Sequence, residues 1–231
     1  MTYDDFAVET LRGSPLFSHF EDEQLRSLAG GLRRRRFRRN EVIFHQGDPG
    51  DSLHLVSSGA VKIVLPSSEG EEAIIATLRR GDYFGELALV DGAPRSATAA
   101  ALESTETLVL PRDAFRSLLD GEPHLRDALL TGLAAELRRL TGHVEELHFL
   151  DLAGRLAMRL VRLANERQPA ARRDVQLDWP YTQSDLAAMI GGTRQSVNKL
   201  LSELVSEGLI RIEPDSLIIV DIDRLTRRAE R

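Results

Sequence analysis

The sequence predicts an α+β chain in three parts: a β sandwich or barrel, a long helix with an apolar seam, and a helical pair closed by a β-hairpin. Three observations carry this. Between residues 32 and 110, short apolar runs are interrupted by turn signals about every 8–12 residues, the spacing of an all-β sandwich or barrel. From Leu130 the apolar residues recur at alternating steps of 3 and 4, as the a and d positions of a two-stranded coiled coil do. Beyond residue 180, two short amphipathic segments separated by Gly191-Gly192 lead into two final apolar runs.

Taken in order, Asp22 to Leu32 reads as a short helix. Val42-Ile43-Phe44, Val61-Lys62-Ile63-Val64-Leu65 and Leu108-Val109-Leu110 read as strands. Gly47-Asp48-Pro49-Gly50-Asp51, Ser57-Ser58-Gly59, Ser67-Ser68-Glu69-Gly70, Gly81-Asp82 and Asp91-Gly92-Ala93-Pro94 supply the turns. After Pro111 the period changes, and Pro123 suits the first turn of a helix. Its seam is Leu130, Leu133, Leu137, Leu140, Val144 and Leu147. Such a stripe is either a face packed on its own domain or a dimer seam. The charged opposite face, with Glu136, Arg138, Arg139, Glu145 and Glu146, favours the dimer. Residues 152–168 read as a further helix, ended by a loop at Gln168-Pro169-Ala170-Ala171. Thr182 to Ile190 and Thr193 to Glu207 are the helical pair. Ile210-Arg211-Ile212 and Leu217-Ile218-Ile219-Val220 then flank Glu213-Pro214-Asp215-Ser216 as a hairpin. The expected division is 1–122, 123–150 and 151–231.

Composition narrows the function classes. The 231 residues are 42% hydrophobic and 29% charged, ordinary for a soluble globular chain. The absence of cysteine rules out disulfides, thiolate metal sites, Cys-ligated iron–sulfur clusters and a cysteine nucleophile. The six histidines are scattered, so no metal or haem site is expected, and no clustered ligands suggest an enzyme. No apolar run approaches the ~20 residues of a membrane span. The first twenty residues carry Asp4, Asp5 and Glu9 rather than a basic start and an apolar stretch, so a cytoplasmic protein is expected. Charge is uneven. Residues 152–231 hold 13 Lys and Arg against 11 Asp and Glu, a net of +2, which leaves −8 for residues 1–151 of the overall −6. A mildly positive C-terminal part on an acidic body suits local DNA contact.

The most informative stretch is Phe84-Gly85-Glu86-Leu87-Ala88-Leu89, followed by Pro94-Arg95-Ser96-Ala97-Thr98. Gly85 lets main chain approach a ligand, and N–H groups opening a short helical turn can hold an anion. Arg95 can fork onto phosphate oxygens, and Glu86 can accept from a sugar hydroxyl. The same spacing also fits a β-turn carrying a solvent-exposed arginine. In this stretch, in the Phe44-His45-Gln46-Gly47 strand and turn, in the long helix and in the helical pair, nearly the whole chain resembles the Crp–Fnr superfamily of bacterial regulators. The closest likeness is to the cyclic-AMP receptor branch.

The resemblance implies an N-terminal jelly roll that binds a cyclic nucleotide, a dimerisation helix and a winged helix-turn-helix. It implies that Arg95 and Ser96 hold the cyclic phosphate, Glu86 the ribose 2′-hydroxyl, and the cassette main chain at Gly85, Leu87 and Ala88 the neighbouring oxygens. Cyclic-AMP-responsive members place two adjacent polar residues of the long helix on the adenine. Here these positions are Leu140 and Thr141, so Thr141 alone can hydrogen-bond a base. A different small anion, or no ligand, is the alternative for this sensor. Haem sensing would need His45 or His54 as a ligand, and the oxygen-sensing branch needs the cysteines this chain lacks.

In the second part, Thr182 or Ser184 caps an amphipathic helix. The polar residues of Thr193-Arg194-Gln195-Ser196-Val197-Asn198-Lys199 open the next, as a recognition helix requires. By resemblance Arg194 reads guanine through O6 and N7, and Lys199 holds a second guanine or a phosphate. Gln195 departs from the family's glutamate and suits adenine. Thr182, Ser184, Thr193 and Ser196 are candidate phosphate contacts. The expected partners are a palindromic operator in double-stranded DNA and a second copy of the chain, with no membrane. Arg33-Arg34-Arg35-Arg36, with Arg38 and Arg39 around Phe37, is either a solvated strand face or, by resemblance, a surface for RNA polymerase. Phe149-Leu150-Asp151 matches the family hinge, through which ligand binding would shift the two readers toward the ~34 Å spacing of successive major grooves.

Overall fold

Eight short strands double back on one another into two antiparallel sheets. They are β1 (Arg33–Phe37), β2 (Val42–Phe44), β3 (Ser52–Ser58), β4 (Ala60–Pro66), β5 (Glu72–Arg79), β6 (Tyr83–Phe84), β7 (Thr98–Ala101) and β8 (Thr105–Pro111). One sheet runs β1-β8-β3-β6 and the other β2-β7-β4-β5. The structure, a computed structural model, describes residues 3–168, 170–214 and 216–229. The loop residue Pro169 and the turn residue Asp215 therefore lie outside the described residues. Turn chemistry fixes the pairings. Gly59, between β3 and β4, has φ of +79°, and a Cβ there would collide with the Ser104 carbonyl. Only glycine fits that bend without strain.

The chain falls into two compact units, Met1–Leu137 and Arg138–Arg231. In the first, Val56, Val61, Phe84 and Ala99 fill a small core within the β structure. A larger core lies under the helices α1 (Tyr3–Arg12), α2 (Asp22–Ala29), α4 (Arg112–Gly121) and the start of α5 (Pro123–Phe149). There Leu11, Leu16, Phe17, Leu25, Phe115 and Leu125 are almost wholly buried, each contributing about 1.5–3 kcal/mol of apolar transfer. A single helical turn, α3 (Leu87–Val90), interrupts the strands between β6 and β7.

The heptad residues of α5 divide. Leu133 packs toward the core of its own unit, as do the off-seam residues Leu125 and Leu129. Leu130, Leu137 and Val144 are exposed by 63–67%. The helix ends at Phe149, and Asp151 then caps α6 (Leu152–Arg167) by accepting from Gly154 N at 2.7 Å. Leu150 and Asp151 thus lie between α5 and α6.

The second unit continues with β9 (Arg173–Asp178), α7 (Gln183–Ile190), α8 (Arg194–Ser206), β10 (Ile210–Ile212), β11 (Ser216–Asp221) and α9 (Ile222–Ala229). The expected hairpin is present as β10 and β11, but it is part of a three-stranded sheet ordered β10-β11-β9. It is also not the end of the fold, because α9 follows it. Between β9 and α7, the rings of Trp179 and Tyr181 meet edge to face at 5.4 Å.

Candidate functional sites

The cassette is built around one buried arginine. Gly85, directly after β6, has φ of +86°, and a Cβ there would collide with Arg95 Nη1. Arg95 Nη1 donates to the Gly85 carbonyl at 2.7 Å, and Nη2 to the Ser52 carbonyl at 2.8 Å. The guanidinium lies 4.2 Å from the centre of the Phe44 ring, and its side chain is 2% exposed. That disposes of a solvent-exposed arginine on a turn. Asp51 Oδ1 stands 3.4 Å from Nη2, but on a side chain 86% exposed to water. Arg95 Nε is buried without a hydrogen-bond partner. Burial pushes the Arg95 pKa down, opposed by Asp51 and Glu86. A buried cation with one N–H still lacking an acceptor favours an added anion.

Beside it stands the turn of α3. Glu86 is half-buried at the start of α3. Burial pushes its carboxyl above the ordinary range; a main-chain hydrogen bond opposes this, Glu136 adds to it and Arg95 counters. The carbonyls of α3 are gripped from α4: Arg112 Nη2 donates to Ala88 O at 2.9 Å, and Arg116 Nη2 to Leu89 O at 3.1 Å. These two arginines were not singled out from the sequence, where an Arg-x-x-x-Arg helix face looks like any solvated one. Ala88 is buried, whereas Leu87 and Ser96 are exposed. The Tyr83 hydroxyl rests against Gly132 of α5, where a Cβ would collide with it.

Beneath Arg95 lies His54, buried and stacked on Phe84 at 5.1 Å. Its ring nitrogens face Ser52 Oγ at 3.4 Å and Thr107 Oγ1 at 3.2 Å. Burial, and then the positive charges of Arg95 and Arg35, push its pKa down to about 3, with Asp51 opposing. It is a neutral core histidine. Among the described residues, no group of three or more His, Asp or Glu is placed to hold a metal ion. The structure thus gathers Gly85, Glu86, Ala88 and Arg95 at one place. Thr141 is exposed on the part of α5 that belongs to the second unit.

In the second unit, Thr182 caps α7 through a capping box: its Oγ1 accepts from Asp185 N at 3.0 Å, and Asp185 Oδ2 accepts from Thr182 N at 2.9 Å. Thr193 caps α8 by accepting from Ser196 N at 3.1 Å. Between the helices Gly191 takes φ of +67°, and Arg155 Nη1 donates to Ile190 O at 2.8 Å. Val197, Leu201 and Leu204 face the core, which leaves Ser184, Thr193, Arg194, Gln195 and Lys199 exposed. Lys199 is 81% exposed, with Glu203 at 3.9 Å. Gln183 was overlooked by sequence reasoning. Its Nε2 donates to Asn198 Oδ1 at 3.0 Å, and its Oε1 accepts from Arg194 Nε at 3.4 Å, so it joins the two helices.

The arginine run on β1 is split by strand alternation. Arg34 and Arg36 both bind Glu106, the latter at 3.0 Å, and the register pairs Arg36 with Glu106. Burial raises the Glu106 pKa, but hydrogen bonds from the two arginines more than offset it and leave it below the usual value. Arg34 also lies over the Phe6 ring at 5.3 Å, and Arg35 over Phe37 at 5.6 Å.

Residues 34–122 match the cyclic nucleotide-binding domain family, and residues 154–228 the Crp-like helix-turn-helix domain family. The chain is 33% identical over 221 residues to a CRP-like cAMP-activated global transcriptional regulator of Mycobacterium tuberculosis, covering 96% of this chain and 99% of that one. It is 32% identical to the cyclic AMP receptor protein of Thermus thermophilus, covering 90% and 93%. Its fold is shared with FixK2 of Bradyrhizobium japonicum, at a TM-score of 0.76 and 23% identity over 85% of this chain and 96% of that one.

Proposed function

The chain belongs to the Crp–Fnr family of ligand-responsive, DNA-binding transcription regulators, and from that premise we propose that it is a homodimer gated by a cyclic nucleotide, cyclic AMP first among them, and that it reads a palindromic operator. It is a regulator and not an enzyme. No described helix is long and apolar enough to cross a membrane.

The observation that carries the sensor reading is Arg95: a buried guanidinium with an unpartnered Nε, kept in place by main-chain carbonyls behind a glycine turn. Arg95 and Ser96 take the cyclic phosphate, Glu86 the ribose hydroxyl, and the main chain at Gly85, Leu87 and Ala88 the remaining oxygens. Thr141 of the long helix offers the base one hydrogen bond. The dimer seam is formed by Leu130, Leu137, Val144 and Leu147, whose side chains are 46–67% exposed on the single chain. Arg194 reads guanine, Lys199 holds a second guanine or a phosphate, Gln195 reads adenine, and Thr182, Ser184, Thr193 and Ser196 position the helices on phosphates. Arg33 and Arg35, lying on the other side of β1 from the pair that binds Glu106, are offered to RNA polymerase.

Calorimetric titration of the purified protein with cyclic AMP and cyclic GMP tests this reading. Micromolar binding is expected, weakened about 100-fold in Arg95→Ala by loss of the charged hydrogen bonds. A second reading keeps the DNA reader and gives the sensor a different small anion or no ligand. Leu140 favours it, as an apolar residue where cyclic-AMP-responsive members place a polar one. Absence of heat with both nucleotides would decide for it.

A further inference from the structure

The helix α9 closes the second unit and links two places that matter for DNA reading. It buries Ile222, Leu225 and Ala229 and packs chiefly on α6. Asp221 Oδ1 accepts from Arg224 N at 2.9 Å and so caps the first turn of α9. Two of its arginines reach the far end of α8. Arg224 Nη2 donates to the Glu207 carbonyl at 3.3 Å, and Arg228 Nε lies 3.3 Å from Glu207 Oε2. Glu207 is the C-cap residue directly after α8. The last carbonyls of a helix carry partial negative charge, and guanidinium groups are favoured there.

The same helix touches the beginning of α6. A Cβ on Gly154 would lie 2.6 Å from the Ala229 carbonyl oxygen, so the two main chains meet directly. Gly154 N is also the donor to the Asp151 cap that starts α6 just after the long helix. At its other end α8 is set by the turn that Arg155 holds through Ile190 O, and by Gly192, where a Cβ would meet Leu152 at 2.9 Å. The 13 residues of α8 span about 20 Å, so a tilt of about 5° displaces one end by about 2 Å. Bidentate base contacts do not survive such a displacement.

We propose that α9 is a strut for base readout, with Arg224 and Arg228 as positioning residues that fix the tilt of α8 against α6 without touching DNA. The proposal rests on α8 being the recognition helix. The test uses the full chain and an operator fragment that the wild-type protein selects from a random DNA pool. Affinity is measured for that fragment and for unrelated duplex. Arg224→Gln/Arg228→Gln is expected to weaken operator binding about tenfold while unrelated duplex loses less than twofold, and Arg228→Lys is expected to recover part of the loss. Gly154→Ala is expected to act in the same direction. Should that variant fail to fold by far-UV circular dichroism, the arginine pair still decides.

Operator binding within twofold of wild type in the double variant overturns the proposal. An equal loss on both DNAs with a shallower salt dependence also overturns it, because that is the behaviour of a direct phosphate contact. Arg194→Ala runs alongside. If it leaves operator affinity intact, the reading of α8 has failed rather than the strut.

Discussion

Arg95 and Arg194, the two arginines proposed to anchor ligand and DNA, stand in opposite surroundings. Arg95 is buried, stacked on Phe44 and tied to two main-chain carbonyls. Arg194 is exposed, with one long hydrogen bond at 3.4 Å to Gln183. In the proposed sensor the first is fixed before an anion arrives, so little ordering entropy would be lost on binding. In the proposed reader the second, exposed and lightly held, would be free to search base edges for a bidentate pairing. A sensor must discriminate one small ligand, whereas a DNA reader must also slide over wrong sequences. The difference in burial suits that division.

The sharpest way to break the comparison is Gly85→Ala. The added methyl demands a left-handed φ from a non-glycine residue and collides with Arg95 Nη1. Ligand affinity is expected to fall by about 30–100-fold, on the order of 2–3 kcal/mol, from strain plus lost charged hydrogen bonds. Binding to unrelated DNA should stay unchanged. Calorimetry beside anisotropy checks both, and an unaltered ligand affinity would mean that Arg95 is not held through Gly85.

A smaller effect separates the two units by pH. His54 stays neutral in the fold down to about pH 3, while the same side chain in an unfolded chain takes up a proton near pH 6.5. Its contribution is therefore fully present above about pH 6.5. It declines as pH falls toward 3, because the unfolded chain then binds the extra proton, at about 1.4 kcal/mol per unit. Glu106, held below its usual value, is lost in the same direction but further into acid. Urea unfolding at pH 7.5, 6.5 and 5.5 should show this decline in the wild type and a flatter profile in His54→Gln. Parallel profiles would place the titration elsewhere.

The smallest effect is expected at Lys199. Lys199→Ala removes an exposed cation and should reduce the slope of log affinity against log salt by about 1, leaving ligand affinity untouched. A change of sequence preference instead would make Lys199 a base reader rather than a phosphate holder.

Much of this was legible because local patterns carried it. The glycine-led turns announced the strands, the capping Thr182 announced α7, and the polar residues from Thr193 announced α8. What escaped depended on pairing at a distance. The strand β9 alternates Val175 and Leu177, but its partner β11 lies some forty residues along the chain. The helix α9 has only eight residues, too few for a periodic pattern to stand out between charged neighbours. That Arg34 and Arg36 converge on Glu106 follows from the register of β1 on β8, which no run of arginines discloses. The cassette spelled out its residue types but not their burial. The interior place of Arg95 depends on the carbonyls of Ser52 and Gly85, groups every residue possesses.

The single tryptophan of the sequence is Trp179, edge-on to Tyr181 in the segment that leads into α7. The sensor half therefore contributes nothing to indole fluorescence. Emission excited at the red edge is a private optical channel for the DNA-reading half. Melting of that half can be watched in the intact chain, and nucleotide arrival at the cassette becomes visible whenever it alters the surroundings of that one ring.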